Sequence, residues 1–152
     1  MSNLKIYLKS ILTTIILGGI IGFIISGNIN YNILENPPLS PPSNIFPIVW
    51  TILYTLMGIS YGILKSNDLV DYETNLIYYS QLIVNLLWPI FFFILEWRLF
   101  AFIWIILLIV LVINMIIRFY NKNKLAGIIQ IPYLIWLIFA AYLNLGVYLL
   151  NK

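Results

Sequence analysis

Apolar residues fill five long stretches of this chain, and short polar connections separate them. The stretches run from Leu4 to Ser26, Asn44 to Leu64, Glu73 to Leu95, Leu99 to Phe119 and Leu125 to Leu150. A helix needs about 20 mostly apolar residues to cross the hydrocarbon of a bilayer, and each stretch meets that length. No Asp, Glu, Lys or Arg lies deep inside any of them. The pattern predicts an all-α integral membrane protein, a five-transmembrane-helix bundle forming one domain over residues 1–152, with a long loop over 27–43. The first stretch follows Lys5 and Lys9 as a signal peptide would, but it is too long and lacks a clear small-x-small cleavage site, so it is read as a retained helix. Ser43 is read as the N-cap of the second helix, and Asp71 or Glu73 as the anionic partner of the third helix dipole. Trp97, between Glu96 and Arg98, reads as an interfacial anchor.

Composition agrees with lipid as the solvent. Of 152 residues, 62% are hydrophobic and 9% charged, and the mean hydropathy is +1.00. Soluble domains carry about 25% charged residues. The chain has no cysteine and no histidine. That removes disulfides, a thiol nucleophile, thiolate metal sites and the commonest general base. The net charge of +3 comes from basic residues scattered among loops, which argues for topology rather than nucleic-acid binding. Lys5, Lys9, Lys65, Arg118, Lys122 and Lys124 fall on one side, and only Arg98 and Lys152 on the other. Six against two places the N-terminus in the cytoplasm and the C-terminus and the 27–43 loop outside. With no transit peptide visible, a prokaryotic plasma membrane is the expected location.

Three helices carry polar and aromatic groups on one face. Gln81, Asn85, Trp88 and Phe92 follow at offsets of four, three and four, which is helical spacing. Pro89 cannot donate to the carbonyl of Asn85. Trp50, Tyr54, Met57 and Tyr61 repeat the pattern, as do Tyr133, Trp136, Ala140 and Asn144 after Pro132, which would free the carbonyl of Ile128. Two proline pairs, Pro37-Pro38 and Pro41-Pro42, stiffen the loop before Pro47 and the second helix. Apolar walls with a few placed polar groups suit a small-molecule site. The same residues also suit interhelical glue and packing, and the residues alone leave both readings open. Gly18, Gly22 and Ser26 form a small-residue ridge that favours close helix contact. The spans hold no interior carboxylate for ion coupling and no interior lysine for a retinal Schiff base.

Three motifs in order resemble the TspO/MBR family, the tryptophan-rich sensory proteins of bacteria and the mitochondrial translocator protein, once called the peripheral benzodiazepine receptor. They are Phe46-Pro47-Ile48-Val49-Trp50-Thr51-Ile52-Leu53-Tyr54, then Gln81-Leu82 with Asn85, Trp88 and Phe91-Phe92, then Pro132-Tyr133-Leu134 with Trp136 and Leu143-Asn144. The resemblance covers nearly the whole chain. It implies a five-helix bundle whose pocket, between the second, third and fifth helices, opens toward the first loop. Trp50, Asn85 and Trp136 fall on the family's pocket positions, and Tyr31 on a loop tyrosine that covers the pocket. The implied ligand-binding set is Tyr31, Pro47, Trp50, Tyr54, Gln81, Asn85, Trp88, Tyr133, Trp136, Ala140 and Asn144. The loop departs from the family pattern: Asn30 stands where a tryptophan usually precedes the tyrosine, and Asn36-Pro37-Pro38-Leu39 lacks the usual lysine and tryptophan. That makes the cover less aromatic.

The resemblance implies a tetrapyrrole-binding protein, with protoporphyrin IX as the expected ligand, acting as sensor, sink or carrier. No cofactor is required. The alternatives are slow light- and oxygen-dependent porphyrin breakdown involving Trp50 and Trp136, or carriage of a lipid or sterol. Leu145, Tyr148 and Lys152 loosely match a sterol motif of the kind that many helix ends match by chance. The bilayer and a second copy in a homodimer are the other expected partners, and no nucleic acid.

Overall fold

The computed structural model describes residues 3–29 and 33–152. Tyr31 lies outside the described residues. The elements are α1 (Asn3–Ile25), which ends in a 3-10 turn over Ser26–Asn28, α2 (Ile45–Ser66), α3 (Tyr72–Pro89), α4 (Arg98–Lys122), α5 (Lys124–Ile128) and α6 (Ile131–Asn151). A π-type turn over Ile90–Ile94 extends α3. Together they make five spans long and apolar enough to cross a membrane.

α4 shows why the chain needs lipid. Ala101, Ile105, Leu108, Val112, Met115 and Phe119 repeat at offsets of four and three and are fully buried. Ile103, Leu107, Val110 and Ile117 on its other faces are exposed and just as apolar. A helix apolar all round is stable only inside protein or membrane. The buried face of α4 meets Leu53, Met57 and Leu64 from α2, Leu82 from α3 and Leu137 from α6 in one core.

Two helix ends depart from the sequence reading. The N-cap of α2 is Asn44, and no side chain bonds the first turn there. Ser43 contributes only its carbonyl, which accepts from Phe46 N–H at 3.4 Å. The fifth span is two helices, not one. Asn123 caps α5 by accepting from Ala126 N–H, and Gln130 N–H bonds the Gly127 carbonyl to end it. Pro132 then falls at the start of α6, where its missing N–H leaves no intrahelical bond unmade. It opens a helix and does not kink one. Pro89 does act inside a helix: the chain after it widens into the π-type turn, in which Leu95 N–H reaches the Ile90 carbonyl at 3.0 Å.

Asp71 caps α3 as expected, its Oδ1 accepting from Thr74 N–H at 2.8 Å. Its Oδ2 takes Lys122 Nζ at 2.9 Å, and Glu73 pairs with Arg118 at 2.8 Å. These pairs join the start of α3 to the end of α4. The Thr74 and Lys122 hydrogen bonds hold the Asp71 carboxyl well below the usual carboxylate range.

α1 is held mainly by α2. A Cβ on Gly58 would lie 2.5 Å from Ile11 Cα, so the two backbones touch where no larger residue fits. The Thr14 hydroxyl crosses to donate to the Tyr54 carbonyl at 2.7 Å. Of the small-residue ridge on α1, only Gly18 makes a close helix contact, against the Tyr54 ring. Gly22 has nothing within 4 Å where a side chain would start. Its place, and that of Ser26, is on the wall of a cavity.

Candidate ligand cavity

A cavity of about 520 Å³ opens between α1, α2, α3 and α6. That is within the usual size of small-molecule sites, about 300–1,000 Å³. Its lining is mostly apolar and aromatic, with Phe46, Trp50, Trp88, Phe92, Phe93 and Trp136 supplying ring walls. Trp88 stacks on Phe92 at 5.2 Å and meets Phe93 edge-on at 6.2 Å. Asn85, Trp88, Pro89, Phe92 and Phe93 follow at offsets of three, one, three and one, a single helical face that carries both phenylalanines to the cavity. On the facing side Trp136 meets Phe46 edge-on at 5.9 Å, and Trp50 leans on Tyr54 at 5.7 Å.

Below this floor runs a directed chain of buried hydrogen bonds. The Tyr54 hydroxyl donates to Asn85 Oδ1 at 2.5 Å. Asn85 Nδ2 donates to the Tyr133 hydroxyl at 2.7 Å. Tyr133 donates on to Gln81 Oε1 at 2.8 Å, and Gln81 Nε2 to the Tyr78 carbonyl at 2.9 Å. Each donor finds an acceptor, so α2, α3 and α6 are joined at one depth without a stranded polar group. A second pair lies further along: Trp88 Nε1 donates to Asn144 Oδ1 at 2.9 Å, and Asn144 Nδ2 donates to the Arg98 carbonyl at 2.8 Å. The glue reading therefore holds for the side-chain amides.

One indole differs. Trp136 lines the cavity, and its Nε1 is buried with no hydrogen-bond partner. Arg98, its side chain 13% exposed, lies with its guanidinium 5.4 Å above the Phe92 ring and 3.9 Å from Glu96.

The proline loop is fastened to α6. Asn151 grips Glu35 with two hydrogen bonds, accepting from its N–H at 3.0 Å and donating to its carbonyl at 2.8 Å. The Tyr142 hydroxyl donates to the Pro38 carbonyl at 2.6 Å. Pro37 is buried against Gly146, where a Cβ would lie 2.5 Å from its ring. Leu39 takes φ 72° in the tight turn that Ser40 closes on the Pro37 carbonyl.

Of the residues expected at the site, Pro47, Trp50, Tyr54, Asn85, Trp88, Trp136, Ala140 and Asn144 line the cavity. Gln81 and Tyr133 do not, and serve the hydrogen-bond chain beneath. The α1 wall was not foreseen: Ile15, Gly18, Gly19, Gly22 and Ile25 line the cavity as well. Its signal was the glycine cluster, which was read as a helix contact. Phe46 and Phe93 also lay inside or beside the quoted motifs without being assigned.

A family model described as the TspO/MBR family matches residues 10–150. A tryptophan-rich protein TspO of Archaeoglobus fulgidus is 39% identical over 107 residues, covering 70% of this chain and 69% of that one. The protein of the same name from Chlorobaculum tepidum is 33% identical over 109 residues, with 70% and 69% covered. Protein CrtK of Rhodobacter capsulatus is 33% identical over 111 residues, with 70% and 68% covered.

Proposed function

The chain belongs to the TspO/MBR family, and we propose that its cavity binds a flat, metal-free tetrapyrrole such as protoporphyrin IX, in a sensor, sink or carrier role. The observation that carries this reading is the cavity of about 520 Å³ with aromatic walls on opposing helices. A planar conjugated ring gains from such walls, about 0.5–1.5 kcal/mol per aromatic pair beyond area burial. The unpartnered Trp136 Nε1 supplies a donor for a ligand oxygen or nitrogen. The chain has neither histidine nor cysteine for an axial bond to iron, so the free-base porphyrin is the preferred form. The six-to-two distribution of basic residues supports a cytoplasmic N-terminus, with the cavity opening toward an outer loop. The test is a titration of detergent-purified protein with protoporphyrin IX, following tryptophan fluorescence and the Soret band. Saturable binding should weaken at least tenfold in Trp136→Ala. Unchanged affinity in that variant would sink the role given to Trp136, and absence of saturable binding would sink the ligand class.

A further inference from the structure

A second, smaller cleft of about 200 Å³ lies between α1, α2 and α3, at the end of the bundle opposite the proline loop. Ile6, Lys9, Ser10 and Thr13 form one face of α1 at offsets of three, one and three, and Tyr61 and Lys65 stand one turn apart on α2. Tyr78 and Tyr79 close it from α3. None of these residues lines the aromatic cavity.

Two lysines thus line one cleft, and the cleft holds no acidic residue. Among the described residues the ion pairs are Arg98–Glu96, Arg118–Glu73 and Lys122–Asp71, and neither Lys9 nor Lys65 takes part in one. Asp71 and Glu73 are thereby committed elsewhere. Asp68, on the α2–α3 connection, is exposed and makes no ion pair with Lys65. Two like charges on one cleft repel each other unless an anion stands between them.

We propose that this cleft binds a phosphate-bearing anion, the headgroup of an anionic phospholipid, through Lys9 and Lys65. The position supports a lipid source. Lys9 lies two turns into the first span, and Lys65 is the last basic residue of the second, so both reach the level where headgroups sit. Basic clefts between membrane helices take anionic headgroups by this chemistry. Ile6 and the exposed ring of Tyr79 offer apolar surface beside the charges, which free phosphate would leave uncovered.

The experiment uses the whole purified protein in neutral detergent and reads its thermal unfolding midpoint against added short-chain phosphatidylglycerol. Phosphatidylcholine of the same chain length and inorganic phosphate are run in parallel. Phosphatidylglycerol should raise the midpoint saturably, and phosphatidylcholine should not. Lys9→Gln with Lys65→Gln should weaken the apparent affinity roughly twenty-five-fold, from about fivefold per lysine at a membrane surface. Lys9→Arg with Lys65→Arg should keep it. Equal responses to the two lipids, or a glutamine variant with wild-type preference, would overturn the proposal. If inorganic phosphate competes with phosphatidylglycerol at equal concentration, the phosphate chemistry stands and the lipid source falls. Should the glutamine variant fail to fold, the wild-type preference and the arginine variant decide the matter. Protoporphyrin titration of the glutamine variant should match wild type, so this proposal and the porphyrin reading fail separately.

Discussion

Tyr54 and Asn85 offer a direct test of what the buried amides do. Both are nearly removed from solvent, at 8% and 2% exposure, and their hydrogen bond joins α2 to α3. Asn85→Leu keeps the volume but strands the Tyr54 hydroxyl without an acceptor. Tyr133 loses a donor in that variant yet retains its own bond to Gln81. Leaving one buried donor unmade costs about 1–3 kcal/mol. Tyr54→Phe alone strands Asn85 Oδ1 at a cost of about 1 kcal/mol. The double variant removes both partners, so its cost should fall short of the sum by about 0.6–1.7 kcal/mol, the span seen for polar pairs in membrane helices. Unfolding by added SDS in mixed micelles, followed by circular dichroism, measures all four proteins. Additivity to within about 0.3 kcal/mol would refute the pairing. Protoporphyrin titration of Asn85→Leu reports separately on the ligand. A tenfold fall in affinity there would mean that the amide leaves Tyr54 to meet the ligand, which contradicts a supporting role.

Two further outcomes follow from particular contacts. Gly22 has open space where a side chain would start, so Gly22→Leu should fill the cavity from the α1 side. Protoporphyrin affinity should drop at least tenfold with little change in the unfolding midpoint; wild-type affinity would show that the ligand does not use this wall. Asp71→Asn removes a carboxylate whose folded pKa is depressed by Thr74 and Lys122. A depressed carboxyl stabilises fully above its unfolded value, ~3.9, and loses that contribution as pH falls through the folded value. The variant should therefore melt below wild type at neutral pH, and the gap should close only in strong acid. A gap of equal size at both ends of the scale would remove the ion pair as its cause.

Much of this architecture was legible because the sequence obeys few and strong rules. Five apolar stretches of spanning length admit little but five membrane helices, and their ends fell within a few residues of the observed ones. The Asp71 cap was readable from residue type alone. The break at Ile129–Gln130 was not, because the apolar run continues through it and Pro132 carries the same signal for a kink as for a helix start. The α1 wall escaped for a related reason. A glycine row marks either a close contact or an opening, and the row itself is identical in both cases. Gly18 turned out to be the first and Gly22 the second. Phe93 completes the helical stripe of Asn85, Trp88, Pro89 and Phe92 on the cavity wall, a signal the spacing carried and the motif reading passed over.

The two polar systems bear on what the cavity can recognise. Tyr54, Asn85, Tyr133 and Gln81 satisfy one another in sequence, and Trp88 and Asn144 do the same beside Arg98. A ligand that needed these amides would have to break a bond already made in a region of low dielectric, where each such bond is hard to replace. The amides hold three helices apart at a set spacing, and the space so kept is lined by rings. In the proposed reading, recognition rests on shape and aromatic surface, with the buried Trp136 N–H as a donor not engaged within the protein. On the proposed reading, such a cavity takes a flat, hydrophobic molecule with an acceptor near one edge and discriminates poorly among molecules that share that outline. Breadth of this kind suits a protein that senses or carries a class of ligands more than one that positions a single substrate for reaction.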